Sequence, residues 1–323
     1  MPGKRKFDEQ LAALDALRTV PDEARMAPLR KALNHQNNFI VAKAADLTRE
    51  LHLVQLIPDL LTAYERFFHT PEKTDPQCWA KNAISRALAS MEYQEPDAFL
   101  SGLRHIQMEP VWGGRSDTAG TLRGTCALAL VQCRTLNDSQ LLSHLIDLLA
   151  DKDKQVRLEV IRAIEQVASP SATLVLRVKA VLAADEPEIL GACYGAILSV
   201  EGLRAISWVS QFLASQDDAA AEAALAISGT RSGEGFDCLK QALLAANDPW
   251  WRSVLVSAIA LTRQPAATEF LLDQIADESP DAEGAIDAIL RAVPSPELIR
   301  RLETLVSGNP RLARHLTQLQ KTS

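Results

Sequence analysis

The residues best placed to do chemistry lie in one irregular stretch, Gln107–Gly124, which reads QMEPVWGGRSDTAGTLRG. It brings Trp112 and Arg115 within four residues of each other, and these are the two residue types most enriched where binding energy concentrates. The glycine pair Gly113-Gly114 permits positive φ and a tight, exposed excursion, so 107–118 is expected to be an irregular loop insertion. Its chemistry is recognition, with Trp112 and Arg115 as candidate contacts, although a Trp folded back between neighbouring elements is the competing reading.

Catalytic signatures are absent. No phosphate-cradling G-x-x-x-x-G-K-[ST], no G-x-G-x-x-G, no H-E-x-x-H and no G-x-S-x-G occurs. The six histidines (His35, His52, His69, His105, His144, His315) are scattered, and none is followed by glutamate. Five cysteines, an odd number without Cys-x-x-Cys, read as buried small hydrophobes in a reducing compartment. No metal or other cofactor is expected.

Positioning these residues falls to helices. Apolar residues recur at spacings of three and four, as at Val156, Val160, Ile164 and Val167, which puts them on one helical face. A first helix is expected over 6–18 as an N-terminal cap. Helix pairs follow at 22–33 with 38–51, 54–68 with 76–90, 96–106 with 119–133, and 139–149 with 153–167. Further pairs are 171–183 with 186–200, 202–214 with 218–228, 234–245 with 249–262, and 266–276 with 281–292, before closing helices over 296–320. No segment alternates with β-branched enrichment, so no strand is expected. Asn37, Asp75, Asp117, Asp153, Asp185, Asp217, Asp248 and Asp281 stand near the openings of the second helices as candidate N-caps. From Asp117 onward these markers recur roughly every 30–36 residues, a period that calls for stacked helix pairs.

Aligned on one another, the second helices match at Ala87-Leu88, Ala129-Leu130, Ala163-Ile164 and Ala258-Ile259, each preceded six residues earlier by Lys81, Arg123, Arg157 or Arg252. With Asp151 opening the clearest copy (DKDKQVRLEVIRAIEQV, 151–167), this pattern resembles the HEAT-repeat family. The resemblance implies an all-α, right-handed α-solenoid of about eight to nine antiparallel helix pairs running through 1–323 as one array. It also implies that Lys81, Arg123, Arg157, Arg252 and Asp151 form a structural ladder between adjacent inter-helix turns. The row one step before the Val-Arg position holds Trp79 and Trp250, near the concave side in such arrays, as further candidate contacts.

Charge narrows the partner. Residues 1–182 carry net +1, residues 183–288 carry 5 basic and 17 acidic side chains, and residues 289–323 carry net +4. A nucleic-acid-tracking solenoid needs a basic stripe, so nucleic acid is not expected, and a basic protein or peptide segment is. The start MPGKRKFDEQ lacks a secretory apolar region and no uninterrupted run of 18 apolar residues occurs, so no membrane association and a cytoplasmic site are expected. The leading function is therefore a non-catalytic protein- or peptide-binding scaffold. The alternative is a lyase-like enzyme or enzyme subunit, through a weak Arg-x-x-Ala-x-x-Ala likeness to HEAT-like phycobilin lyases.

Overall fold

The computed structural model describes residues 2–292 and 295–322. It is predominantly helical, and the chain divides into two compact units, 1–167 and 168–323.

The N-terminal unit contains α1 (Pro2–Ala16), α2 (Asp22–Leu33), α3 (Asn38–Glu50), α4 (Ile57–Arg66), the single turn α5 (Pro71–Thr74), α6 (Trp79–Ser90) and α7 (Pro96–Leu103). After β1 (Met108–Val111) and β2 (Gly114–Asp117) come α8 (Gly120–Val131), α9 (Asp138–Leu145) and α10 (Lys154–Val167). Helix α3 lies against α6, α6 against α8 and α8 against α10, a row of alternate helices. On the other side α2 covers α3, α4 covers α6, α7 covers α8 and α9 covers α10. Small residues set the spacing of the row: Ala44 and Ala45 of α3, and Ala80, Ala83 and Ala87 of α6, are all buried. At the start of α8 a side chain on Gly120 would meet the Asp153 carboxylate, so glycine lets that carboxylate pack directly on the helix without shifting. The core is aliphatic, with Leu33, Leu60, Ile84, Leu88, Leu122, Val160 and Ile164 excluded from solvent.

The C-terminal unit contains α11 (Pro170–Leu182), α12 (Pro187–Glu201), α13 (Ile206–Ser210), α14 (Asp218–Gly229), α15 (Gly233–Ala245) and α16 (Pro249–Leu261). It closes with α17 (Pro265–Ala276), α18 (Ala282–Arg291), α19 (Pro296–Val306) and α20 (Pro310–Thr322). Here α12, α14, α16, α18 and α20 follow one another side by side, while α11, α13, α15 and α17 each cover one of them. Serine and aspartate caps start several helices: Ser169 accepts from the Ala172 N–H, Asp217 from Ala220 and Asp248 from Trp251. Asp281, expected as such a cap, makes no cap bond and pairs with Arg252 instead.

Two expectations change. The loop at 107–118 is a regular antiparallel hairpin, with Met108 opposite Asp117 and Val111 opposite Gly114, so strands are present after all. The helix expected over 202–214 is α13 flanked by 3-10 turns, because Gly202 takes φ 69° and ends α12. The stretch Pro187–Ser215, which runs through α12, α13 and the 3-10 turns around it, is long and apolar enough to cross a membrane by length and composition. Half of its apolar window is buried inside the protein.

Within this unit Lys179 holds Asp185 at 2.6 Å, and the carboxylate is 6% exposed. Burial opposes its ionisation, but hydrogen bonds from Glu186 and Lys179 outweigh that and lower its pKa to about 2. A carboxyl depressed below its usual 3.8 stabilises the fold above that pH and loses the contribution as pH falls towards 2. The stability gap between the native chain and Asp185→Asn is therefore expected to close by on the order of 2 kcal/mol between pH 4 and pH 2, measured by urea titration at each pH.

Candidate functional site

The N-terminal unit concentrates its buried polar groups beneath the hairpin. Asp75, at the end of α5, is fully buried. Its carboxylate accepts the Ala80 and Lys81 N–H groups at 2.9 and 3.0 Å, the Asn38 amide at 3.0 Å and the Lys81 ammonium at 3.0 Å. Lys81, also fully buried, donates in addition to the Phe67 carbonyl at 3.2 Å and lies 5.6 Å from the Phe68 ring centre. Gln107 ties this pair to the hairpin: its Nε2 donates to the Asp75 carbonyl at 2.8 Å and to Glu109 Oε1 at 2.6 Å. Its Oε1 accepts from Cys78 Sγ and faces His105 Nε2 at 3.0 Å.

Glu109 is the hinge between hairpin and helix row. Its Oε1 accepts the Gln77 N–H at 2.6 Å and the Thr118 hydroxyl at 2.8 Å. Burial opposes ionisation of Glu109, but the Gln77, Gln107 and Thr118 donors outweigh it and hold the carboxyl below its ordinary range. Gln77 and the following Cys78 both sit in the left-handed region, at φ 59° and 56°. Such backbone persists for non-glycine residues only where the surroundings fix it, and here Glu109 and Gln107 do so.

Arg123 of α8 fixes the other strand. It donates to Asp117 at 2.7 Å, to the His105 carbonyl at 3.0 Å and, through two nitrogens, to Asp151 at 2.8 and 3.0 Å. Asp117 also accepts the Gln107 and Ala119 N–H groups, and although burial works against it, these donors and Arg123 keep its pKa low. Arg157 donates to the Asp151 carbonyl at 2.6 Å, so Asp151 receives both arginines. In the C-terminal unit Arg252 binds Asp281 and the Leu243 and Ala246 carbonyls. Lys81 stays with the aspartate of its own turn, whereas Arg123 and Arg252 also reach the next.

On this foundation the hairpin projects an apolar arm. Its turn is Trp112-Gly113, with Gly113 at φ 90°, a conformation for which glycine is needed. Trp112 is wholly exposed, at 103% of its reference area, and Ile106, Met108 and Val111 of the same segment are exposed as well. Arg115 donates to Glu72 at 3.0 Å and to the Met108 carbonyl. Trp79 is half-exposed at the start of α6; its Nε1 donates to Gln77 Oε1, and its ring leans on Phe39 at 5.0 Å, which meets Phe7. The Gln77–Glu109 bond thus joins the setting of Trp79 to that of the hairpin. Trp250 belongs to the C-terminal unit, half-exposed beside the buried Trp251.

Two grooves border this surface. The larger, about 880 Å³, runs between β2 and the 3-10 turn Ile146–Ala150 with the following Asp151–Asp153. The smaller, about 230 Å³, lies between α3 and α6, walled by Phe39 and Trp79. Asn82 lines it, 9% exposed, and its Oδ1 has no hydrogen-bond partner among the described residues.

The thiols are poorly set for nucleophilic work. Burial pushes Cys78 and Cys193 to about 12, and Cys126 and Cys133 to about 11. Among the described residues no three His, Cys, Asp or Glu side chains converge as a metal site. No protein-family model and no curated protein matches the chain.

Proposed function

We propose that the chain is a non-catalytic interaction scaffold of HEAT-like helix pairs, stacked as an α-solenoid, that captures a protein or peptide through the hairpin of the N-terminal unit. One observation carries the reading. Trp112 gives its own fold nothing, yet it is held at the tip of an arm whose base is fixed by Gln107, Glu109, Asp117 and Arg123. An exposed indole on a rigid mount loses little conformational freedom when a partner covers it, which is how interface hot spots are built. Ile106, Met108 and Val111 add further exposed apolar surface along the same segment. The alternate helices lying side by side in each unit, and the arginines that link successive turns, are what a stacked helix-pair array requires.

The partner is a basic segment, in keeping with the net negative charge of 183–288, and nucleic acid is disfavoured by the same charge. Affinity capture with the full chain is expected to return one stoichiometric partner. Trp112→Ala is expected to lose it while the melting temperature stays unchanged, because an exposed side chain away from any packing shifts stability by less than about 0.5 kcal/mol. Retention of the partner by Trp112→Ala would remove the hairpin from the binding surface.

A further inference from the structure

The hairpin has two outer edges, and they are not alike. The Thr118 N–H donates to the Gln107 carbonyl, which makes 107 and 118 a hydrogen-bonded pair. Antiparallel pairs alternate, so 109 with 116 and 111 with 114 also bond inward, while 108 with 117 and 110 with 115 turn their backbone groups outward. On β1 the outward row is spoiled. Pro110 has no N–H to offer, and the Met108 carbonyl is already taken by the Arg115 guanidinium. On β2 the N–H and C=O groups of Arg115 and Asp117 all face outward. Arg115 and Ser116 are exposed, and the whole 115–117 stretch lines the 880 Å³ groove.

Resting on the reading of the hairpin as a binding surface, we propose that a partner's extended segment adds to the free edge of β2 as a third strand, seated in this groove. A row of unpaired backbone donors and acceptors selects an extended polypeptide, since nothing else presents the complementary row at strand spacing. The groove also sets the side chains. Ile106 and Met108 offer apolar contact, and the wall facing β2 carries Asp147, Asp151 and Asp153 against the single Lys152. Arg123 takes up Asp151, Arg115 is engaged by Glu72, and Arg104 reaches His144 at 3.5 Å. Asp153 caps the start of α10 through the Gln155 N–H, which leaves the Asp147 carboxylate to favour lysine or arginine at the position of the incoming strand that meets it, alternating with apolar residues.

The test uses the full chain and a capped heptapeptide of alternating valine and lysine, followed by amide NMR. Saturable shifts and slowed hydrogen exchange at the Arg115 and Asp117 N–H groups are expected. The same peptide N-methylated at alternate residues along its pairing edge, and a valine–glutamate counterpart, are expected to bind at least about tenfold more weakly. Arg115→Pro, which deletes an outward N–H that the hairpin does not use, is expected to weaken binding about tenfold, whereas Arg115→Ala keeps it. The N-methylated peptide leaves the protein untouched, so the outcome stands even if the proline variant distorts the hairpin.

No saturable change at β2 up to millimolar peptide, or equal weakening by Arg115→Ala and Arg115→Pro, overturns strand addition. So do β2 shifts that follow protein concentration without peptide and accompany a doubled mass, which would assign the edge to a second copy. Should Arg115→Pro keep the captured partner while Trp112→Ala loses it, strand addition fails and the binding surface stands. If both variants keep the partner, the binding surface fails as well.

Discussion

Asp75→Ala is expected to lower the unfolding free energy by roughly 3–5 kcal/mol in a urea titration, among the largest effects open to one substitution in this chain. The carboxylate is fully buried and is the charge partner of the equally buried Lys81. Removing it strands an ammonium ion with one carbonyl, from Phe67, and the face of Phe68. It also releases the Ala80 and Lys81 N–H groups at the head of α6 and the amide of Asn38. The double change Asp75→Ala with Lys81→Met should recover much of the loss, because an apolar pair needs no desolvation of charge. A single-variant loss below about 1 kcal/mol would mean that the pair contributes no more than a surface bridge.

Arg123→Ala is expected to cost a comparable amount, about 3–5 kcal/mol, and to do something Asp75→Ala does not. Arg123 is the shared partner of Asp117 and Asp151, with its own side chain 5% exposed. Without it the Asp117 and Asp151 carboxylates lose their charged donor, the His105 carbonyl loses the guanidinium, and β2 loses its ion pair to α8. Hydrogen exchange in 107–118 should therefore accelerate out of proportion to the global destabilisation, because the hairpin opens locally. Uniform acceleration across the unit would show that Arg123 serves stability alone.

The helices were legible because their signal is local. Spacings of three and four place nearly every element within a few residues of its observed range, as for α2, α6 and α16. The hairpin was not legible, since MEPV and GRSD contain a proline, three charges and a glycine, and no alternation of β-branched residues. Only the glycine pair marked the turn, and it is equally compatible with an irregular loop. The network beneath was less visible still. Gln107, Glu109 and His105 acquire meaning only through Asp75, Gln77 and Cys78, about thirty positions earlier in the chain, and no periodicity links such partners. Asn82 looks like an ordinary helical residue until the neighbours that fail to satisfy it are seen. The basic positions at Lys81, Arg123, Arg157 and Arg252 were visible as a recurring place in the pattern, but the bonds each makes differ. Those follow from the local path of the turns rather than from spacing.

Pro110 has a further consequence, for stoichiometry. A two-stranded ribbon with both margins available is a template that can recruit neighbours without limit, the route by which ribbons polymerise. With one margin lacking a donor and the opposite one free, this hairpin can be extended from β2 alone, so it cannot hold two strands at once, one on each margin, and link them into a continuous sheet through itself.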